Sequence, residues 1–341
     1  MPRFELTHEV LDLRLRHPFT ISRGTREEMR NIFIKLTADG ITGYGEAAPN
    51  RRYSEDPSKV VRYLENLPGD FFDDVIRGEQ LASRLDEIKP EVHAARAAVE
   101  MAWLDWHAKR QGKPLHQLWK APSRTGPVTS FTIGIDDPDT IRRKVKEAEE
   151  FPVLKIKLGT GNDREIIRTI REVTDKPLRV DANEGWESLQ QARNEITFLA
   201  DQNVELVEQP MPAAMRDELA ALNKSSSIPI CADESFIGTE NLEDIAKAFD
   251  IINIKLMKIG SMVKAREIIR KAKQAGLKVM IGCMIESSLA NTAGAILSLW
   301  ADYADLDGHL LIENDPFAGL KLDAEKRIIL TDRPGLGVRK R

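Results

Sequence analysis

The sequence has few cysteines and no long apolar run, and each absence excludes a class of protein. Cys231 and Cys283 are the two cysteines of the 341-residue chain, and neither belongs to a Cys-x-x-Cys pair. A disulfide framework or a cysteine-based zinc site is therefore not expected, and a reducing compartment fits the composition. The longest apolar runs are far shorter than the ~18 residues that a membrane-spanning helix requires, so we expect no membrane association.

An excess of charge of one sign is also lacking. The chain has 50 Lys+Arg against 54 Asp+Glu, a formal net charge of −4, and no block of basic residues stands out. This balance argues against nucleic acid or an anionic membrane as a partner. The first residues alternate, as in Phe4-Glu5-Leu6-Thr7, and do not form a basic-then-apolar signal peptide. We therefore expect a cytoplasmic protein.

The first third of the chain predicts an α+β unit, and the 42% hydrophobic content is enough for a large core. Residues 3–50 have the β-rich runs of a three-stranded meander, with a turn at Asp39-Gly40. Residues 19–26 are polar and contain glycine, so we expect an irregular loop that could fold over something. From about residue 55 to 120 the periodicity is helical, most strongly from Pro90 to Gly112. Strands followed by helices favour a separate domain.

After residue 126 the pattern becomes an alternation of β-type and helical runs, and the strand starts recur about every 25 residues, as in a parallel barrel of βα units. A short acidic stretch with Gly and Pro, not an obvious helix, follows the last β-type run, and the tail from Lys321 again resembles strand that could return to the first domain. The eight β-type runs are 128–133, 153–158, 178–181, 204–208, 228–233, 251–255, 278–283 and 303–307.

Carboxylates lie at the ends of three consecutive predicted strands, and in a parallel barrel these ends face one mouth. Asp181, Glu208 and Asp233 would repel one another if all were ionised, and a hard divalent cation would resolve that conflict. Oxygen ligands without His or Cys favour Mg²⁺ over zinc. The alternative is that each carboxylate caps the helix that follows it, which is easier to accept for one residue than for three in succession.

Lysines flank this triad on both sides, with Lys155 and Lys157 on the strand before it and Lys255 on the strand after it. The two-residue period points Lys155 and Lys157 to the same face. Next to a cation site we expect lysines of lowered pKa that could act as bases. Mg²⁺ on a substrate carboxylate would stabilise the enolate formed when an α-proton is removed. One base on each face would then permit epimerisation or racemisation.

Five spaced motifs resemble those of the enolase superfamily, specifically its muconate-lactonizing-enzyme subgroup. They are Lys155-Ile156-Lys157, Asp181-Ala182-Asn183, Glu208-Gln209-Pro210, and the segments 232–235 and 253–258. The resemblance covers nearly the whole chain. It implies a (β/α)7β TIM-like barrel with an α+β capping domain formed by the N-terminus and the C-terminal tail. The domains are then the cap at 1–124, the barrel at 125–318 and the C-terminal return at 319–341.

The same resemblance implies roles for the residues at the barrel mouth. Asp181, Glu208 and Asp233 would bind one Mg²⁺ per subunit, and Lys157 and Lys255 would be the two acid/base residues. Lys155 would be an electrostatic helper near the substrate carboxylate. The sixth and seventh strand ends carry no histidine, which separates this chain from the mandelate-racemase type with a histidine base.

One motif narrows the reaction to dipeptides. Asp305-Leu306-Asp307 resembles the Asp-x-Asp motif of the dipeptide epimerases, where two carboxylates suit a substrate ammonium group. The alternative is that one of them caps the turn before Gly308. The predicted substrate-binding set comprises Arg23, Thr132, Lys155, Asn183, Cys283, Met284, Ile285, Asp305 and Asp307.

Arg23 is the predicted specificity residue, because Ile21-Ser22-Arg23-Gly24 resembles the loop in which an arginine of the L-Ala-D/L-Glu epimerases pairs with the Glu side chain. Arg26 is nearby in the same loop. We therefore expect a Mg²⁺-dependent epimerase that inverts the C-terminal residue of L-Ala-X dipeptides by two-base proton transfer through an enolate, with Glu favoured as X.

Two alternatives remain open at this point. An o-succinylbenzoate synthase or cycloisomerase of the same subgroup would use the same lysines and metal but would have no ammonium for Asp305 and Asp307 to bind. A non-catalytic ligand-binding barrel would be expected to have lost one lysine or one metal ligand. The sequence leaves open the second residue of the dipeptide, self-association, and a role in cell-wall peptide metabolism.

Overall fold

An antiparallel meander begins the chain, which this computed structural model describes from residue 3 to residue 341. Its strands are β1 (Glu5–Ile21), β2 (Gly24–Ala38) and β3 (Ile41–Ala47), hydrogen-bonded in the order β1-β2-β3. Asp39 and Gly40 both have positive φ, 52° and 72°, which is the two-residue turn that matches the twist of a hairpin. The predicted meander is confirmed.

The prediction of an irregular loop at residues 19–26 is wrong. Phe19 pairs with Arg26, Thr20 with Thr25 and Ile21 with Gly24, so the β1–β2 ladder continues to a tight turn at Ser22 and Arg23. A register shift between Arg14 and Phe19 interrupts the ladder before this end. We call residues 19–26 the hairpin tip.

Four helices follow the meander, of which the first and third pack against its strands: α1 (Pro57–Glu65), α2 (Gly78–Glu87), α3 (His93–Arg110) and α4 (Leu115–Leu118). Gly43 and Gly45 of β3 let α3 approach closely, because a Cβ at either position would lie 2.0 Å from the carbonyl oxygen of Ala102 or Ala98. The alanine-rich face of α3 is fully buried there. The helix predicted between Pro90 and Gly112 is therefore confirmed, with slightly narrower bounds.

The rest of the chain alternates strands and helices around a parallel barrel. Eight strands, from Phe131–Ile133 to Tyr303–Asp305, pair side by side in sequence order. A parallel bridge between Thr129 and Ala304 brings the two edge strands together, so the barrel is nearly closed. Its elements, in chain order, are β4 (Thr125–Val128), β5 (Phe131–Ile133), α5 (Pro138–Glu147), β6 (Leu154–Lys157), α6 (Asp163–Arg171), β7 (Leu178–Asp181), α7 (Leu189–Ala200), β8 (Val204–Glu208), α8 (Arg216–Asn223), β9 (Ile230–Ala232), α9 (Leu242–Ile245), β10 (Ile251–Lys255), α10 (Leu256–Ile259), α11 (Met262–Gln274), β11 (Lys278–Gly282), α12 (Ser288–Ser298) and β12 (Tyr303–Asp305).

The C-terminal segment adds short strands and returns to the first domain, as expected. The strands are β13 (Phe317–Ala318), β14 (Lys321–Leu322), β15 (Arg327–Ile329) and β16 (Arg339–Lys340). β15 pairs with β4, which explains why the run predicted from residue 128 contributes only β5 to the barrel. Leu336 N donates to Asp105 Oδ1 of α3 at 2.8 Å. The domain boundaries at 124 and 318 stay predictions.

The capped barrel therefore has the predicted fold class. Within residues 3–341, no helix is long and apolar enough to cross a membrane.

Candidate active site

Three buried carboxylates meet at the carboxyl end of the barrel. Asp181 ends β7, Glu208 ends β8 and Asp233 directly follows β9. One oxygen from each lies within 4.8 Å of the others, and the three residues are 0%, 0% and 2% exposed. None of them caps the following helix, because the N-cap positions of α7, α8 and α9 are Ser188, Met215 and Asn241. The capping alternative for the triad is therefore excluded.

The loop after β7 is shaped to keep Asp181 in place. Asn183 and Glu184 both have positive φ, 46° and 69°, so the chain turns sharply behind the carboxylate. Asn183 N donates to Asp181 Oδ1 at 3.0 Å. Such left-handed backbone is uncommon outside glycine and is typical of functional sites that the surrounding structure over-determines.

Lys155 lies at the centre of these acids. Its Nζ is 2.7 Å from both Asp305 Oδ2 and Glu208 Oε2, and 3.2 Å from Asp181 Oδ2. Burial lowers the pKa of Lys155, but the three carboxylates outweigh burial and raise it well above its usual range. Lys155 is therefore a fixed positive charge, in agreement with an electrostatic role.

Lys157 and Lys255 approach the triad from opposite walls, since β6 and β10 are four strands apart in the eight-stranded barrel. Lys157 Nζ lies 2.6 Å from Asp181 Oδ2, and Lys255 Nζ lies 2.7 Å from Asp233 Oδ2. Burial would lower the pKa of Lys255, but Asp233 and Glu208 raise it well above the usual value. Without a cation the carboxylates raise the pKa of both lysines, so the lowered pKa expected next to bound Mg²⁺ stays a prediction for Lys155 and Lys255.

A pair of residues that the sequence reasoning did not single out holds the triad from behind. Lys258 Nζ donates to Asp233 Oδ1 at 2.6 Å, and Asn253 Nδ2 donates to Glu208 Oε1 at 2.8 Å. Both residues belong to the motif at 253–258. The two-residue period places Asn253 on the same strand face as Lys255, whereas the pattern gives no signal that Lys258, on α10, turns towards the acids.

The eighth strand carries the Asp-x-Asp motif next to the first strand. Asp305 accepts from Ser130 Oγ through Oδ1, in addition to its contact with Lys155. Asp307 Oδ2 accepts from Thr132 N at 2.6 Å, and burial and the charge of Asp305 raise the pKa of Asp307 to about 6. Asp307 precedes a 3-10 turn at Gly308–Leu310 without making a side-chain cap, so the turn-capping alternative finds no support.

The hairpin tip lies over the mouth and is tied to it by Arg23. Arg23 Nη1 is 2.8 Å from Glu234 Oε1, 3.6 Å from Glu184 Oε2 and 3.0 Å from the Asn183 carbonyl oxygen. Arg52 makes a bidentate pair with Glu184, both contacts being 2.9 Å. Arg23 is therefore already engaged by acids of the barrel, which the resemblance did not suggest.

One cavity contains most of the predicted site. Asp181 and Glu208 lie beneath it, in fully buried positions. Tyr53 and Asn50 are not predicted, since they lie in a cap segment far away in sequence. Glu234 belongs to the motif at 232–235, but the sequence assigns it no role. The residues lining the cavity are Phe19, Ile21, Arg23, Arg26, Met29, Asn50, Tyr53, Thr132, Lys155, Lys157, Asn183, Asp233, Glu234, Lys255, Cys283, Met284, Ile285, Asp305, Asp307, Gly308 and Leu311.

The donor set suits a hard divalent cation. Asp181, Glu208 and Asp233 offer only carboxylate oxygens, and Mg²⁺ prefers oxygen ligands whereas zinc sites generally include His or Cys. Glu208 Oε2 accepts no well-formed hydrogen bond, although it lies close to Lys155. The residues present therefore fit Mg²⁺.

A capped parallel barrel with an acidic triad and lysines on both sides of its mouth defines a class of barrel enzymes that work on carbon acids next to a carboxylate. Two family models match the chain: the mandelate racemase / muconate lactonizing enzyme N-terminal domain over residues 6–119, and the enolase C-terminal domain-like family over residues 140–340. The chain belongs to this family of the enolase superfamily.

Individual relatives are similar over nearly the full length. The L-Ala-D/L-Glu epimerase of Bacteroides thetaiotaomicron is 40% identical over 99% of this chain and 88% of that protein. The substrate-liganded L-Ala-D/L-Glu epimerase from Bacillus subtilis superposes with a TM-score of 0.91 at 28% identity, covering 99% of both chains. A dipeptide epimerase from Enterococcus faecalis, complexed with Mg and L-Leu-L-Tyr, gives 0.89 at 31% identity and covers 99% of both chains.

Proposed function

We propose that the protein is a Mg²⁺-dependent dipeptide epimerase that inverts the α-carbon of the C-terminal residue of L-Ala-X dipeptides, with Glu favoured as X. The observation that carries this proposal is the placement of Lys157 and Lys255 on opposite walls of one cavity that also contains the Asp-x-Asp motif. The epimerase names of full-length relatives support it.

Asp181, Glu208 and Asp233 would hold the Mg²⁺. When bound, the cation supplies stabilisation of the negative charge that develops on the substrate carboxylate as the α-proton leaves. Lys155, with its ammonium among three carboxylates, stays protonated and adds a positive charge near that carboxylate.

Lys157 and Lys255 are the two proton-transfer residues in this proposal. One amine removes the α-proton at its Nζ, and the opposite ammonium delivers a proton from its Nζ to the other face of the same carbon. Two bases on opposite faces produce inversion, whereas one base alone permits only proton exchange with retention.

The substrate ammonium group would bind at the eighth strand. Asp305 already has both oxygens engaged, by Ser130 and Lys155, so we assign the main ammonium contact to Asp307. Cys283, Met284 and Ile285 line the same cavity and would contact the dipeptide backbone, together with Thr132 and Asn183. A ring-opening or lyase substrate without an ammonium would make no use of Asp307.

The identity of X depends on the hairpin tip. Arg23 and Arg26 both line the cavity and are the candidates for pairing with the carboxylate of a Glu side chain. Their positive charges support an acidic X over a basic one.

Proton exchange in D₂O tests the proposal. Purified protein with Mg²⁺ is given L-Ala-L-Glu, other L-Ala-X dipeptides and N-acetyl-L-Ala-L-Glu, and NMR follows the α-protons. We expect deuterium at the C-terminal α-carbon of L-Ala-L-Glu together with the L-Ala-D-Glu diastereomer, and slower reaction of the acetylated compound, which lacks the ammonium. Absence of exchange with every dipeptide would refute the epimerase assignment.

A further inference from the structure

Lys258 approaches a metal-ligand carboxylate from the side opposite to the substrate cavity. It follows Lys255 by three residues and lies on the single turn of α10, whereas Lys255 ends β10. Lys255 contacts Asp233 Oδ2 from the cavity, whereas Lys258 contacts Asp233 Oδ1 from behind. The Lys258 side chain is 0% exposed.

All three N–H donors of the Lys258 ammonium have an oxygen acceptor. They are Asp233 Oδ1 at 2.6 Å, the Asp233 carbonyl oxygen at 2.6 Å and the Asn253 carbonyl oxygen at 3.0 Å. An ammonium has three donors and no acceptor, so this side chain has no donor left for a substrate. Its interactions fix Asp233 relative to the end of β10.

The same lysine is connected to a second carboxylate of the triad. The residue whose carbonyl it holds, Asn253, donates its side-chain amide to Glu208 Oε1 at 2.8 Å. Asn253 itself is confined, because a Cβ at Gly282 on the neighbouring strand would lie 2.5 Å from its side-chain oxygen. Lys258 therefore contacts one acid of the triad directly and is linked to a second through Asn253.

The charge balance of the site indicates that Lys258 remains paired with Asp233 when Mg²⁺ is bound. A divalent cation on three carboxylates leaves one negative charge. Asp305 balances the positive charge of Lys155, so the positive charge of Lys258 remains to balance the triad. Lys255 approaches the same carboxylate on the oxygen that faces the cavity, and would be free to turn to the substrate once a cation occupies that position. An unpaired buried charge is costly, so Lys258 and Asp233 are expected to stay together.

We propose that Lys258 is a positioning residue of the cation site, which orients Asp233 and, through Asn253, Glu208 for Mg²⁺. The inference rests on the proposed function in that the triad is taken as the Mg²⁺ site. It assigns Lys258 no proton transfer and no contact with the substrate.

Mg²⁺ binding to the metal-free full-length protein tests the proposal by calorimetry, independently of turnover. The variant is Lys258→Met, which retains the length of the side chain and removes its charge and donors. Loss of groups that orient metal ligands typically weakens metal binding about 10- to 100-fold, so we expect the Kd for Mg²⁺ to rise by roughly that factor. Exchange of L-Ala-L-Glu and L-Ala-D-Glu should fall together and recover as Mg²⁺ is raised.

Lys109→Met is the matched control, because Lys109 Nζ likewise holds a buried carboxylate and a carbonyl oxygen, those of Asp105 and Thr42, away from the mouth. This variant should lower the thermal stability without changing the Kd for Mg²⁺. If Lys258→Met does not fold, Lys258→Gln replaces it; the glutamine retains amide donors without charge and should also raise the Kd.

The outcomes separate the inference from the proposed function. An unchanged Kd in a folded Lys258 variant overturns the positioning role, because Mg²⁺ binding would then not depend on Lys258. A lower Kd also overturns it, because Lys258 would then act only by repelling the cation. If wild type binds Mg²⁺, the Lys258 variants bind it more weakly and no dipeptide exchanges, the inference stands and the epimerase proposal fails. If wild type binds no Mg²⁺, both fail.

Discussion

At the residue scale, Lys157 and Lys255 make a stereochemical prediction. Lys157→Met and Lys255→Met each remove one of the two proton-transfer groups. We therefore expect the rate of inversion to fall by roughly 10²- to 10⁴-fold or more in each variant. Each variant should still exchange the α-proton of one diastereomer through the remaining lysine. NMR in D₂O with L-Ala-L-Glu and L-Ala-D-Glu measures both activities.

The two variants should retain exchange in opposite diastereomers, and this is the sharpest feature of the test. The two-base arrangement would be contradicted if both variants exchanged the α-proton of the same diastereomer, or if either variant still inverted the α-carbon. The Kd for Mg²⁺ serves as a control for damage to the triad, because both lysines contact its carboxylates.

At the scale of elements, the hairpin tip determines how the cap meets the barrel. Arg23 is held by Glu234 and by the Asn183 carbonyl oxygen, and burial, Asp233 and Asp181 raise the pKa of Glu234 to about 7. Arg23 therefore has two available roles: it can hold the tip closed, or it can exchange its barrel contacts for a substrate carboxylate. Arg26, on β2 just after the turn, lines the same cavity.

Comparison of Arg23→Gln with Arg26→Gln distinguishes these roles. We expect Arg26→Gln to lower kcat/KM for L-Ala-L-Glu about tenfold while sparing L-Ala-L-Leu, because an exposed arginine is available for pairing with a carboxylate. Arg23→Gln should lower kcat/KM for both dipeptides, because it loosens the tip. Steady-state kinetics with the two dipeptides measure kcat/KM for each variant. If only Arg23→Gln lost kcat/KM selectively for L-Ala-L-Glu, the sequence-based assignment of Arg23 as the specificity residue would be supported instead.

Elements with a regular hydrophobic pattern could be predicted from the sequence, and contacts between distant elements could not. The eight barrel strands, α3 and the acids at the strand ends follow from local alternation and spacing. Ser22, Arg23 and Gly24 have the composition of a loop and predict an irregular segment at the hairpin tip, whereas pairing across the turn keeps both strands extended. Local polarity did not reveal that pairing.

The candidate site likewise contains residues that the sequence could predict and residues that it could not. Strand-end residues could be found because the barrel brings them to one mouth. Lys258 and Tyr53 could not be found in this way, because the position of each side chain depends on the path of a short helix or of a cap segment. The engagement of Arg23 by Glu234 likewise depends on how the cap sits on the barrel.

At the scale of the whole molecule, buried glutamates of the cap fix it to the barrel helices. Glu46 of β3 accepts from Ser287 N and Ala290 N at the start of α12, at 2.9 and 3.2 Å. Glu100 of α3 accepts from Ser261 Oγ at 2.6 Å and Val263 N at 2.9 Å, at the start of α11. Carboxylates near helix N-termini are stabilising, and here they also specify the orientation of the two domains.

The junction near Glu46 also contains a second buried acid, Glu286, whose Oε1 accepts from Met284 N. Burial, and then the charge of Glu46, raise the pKa of Glu286 to about 8. A carboxyl group whose pKa is higher in the folded than in the unfolded state stabilises the fold fully at low pH. That contribution is lost as the pH rises from about 4.5 through about 8.

Glu286→Gln should remove this dependence, because glutamine keeps the acceptor and does not ionise. Relative to wild type, the free energy of unfolding of the variant should increase between pH 5 and pH 8.5, by at most about 4 kcal/mol at 1.36 kcal/mol per pKa unit. Urea denaturation across that range measures the difference, and Glu187→Gln, at an exposed position, is the control. A constant difference between Glu286→Gln and wild type would mean that Glu286 does not take up a proton on folding, and that the cap–barrel junction tolerates two charged acids side by side.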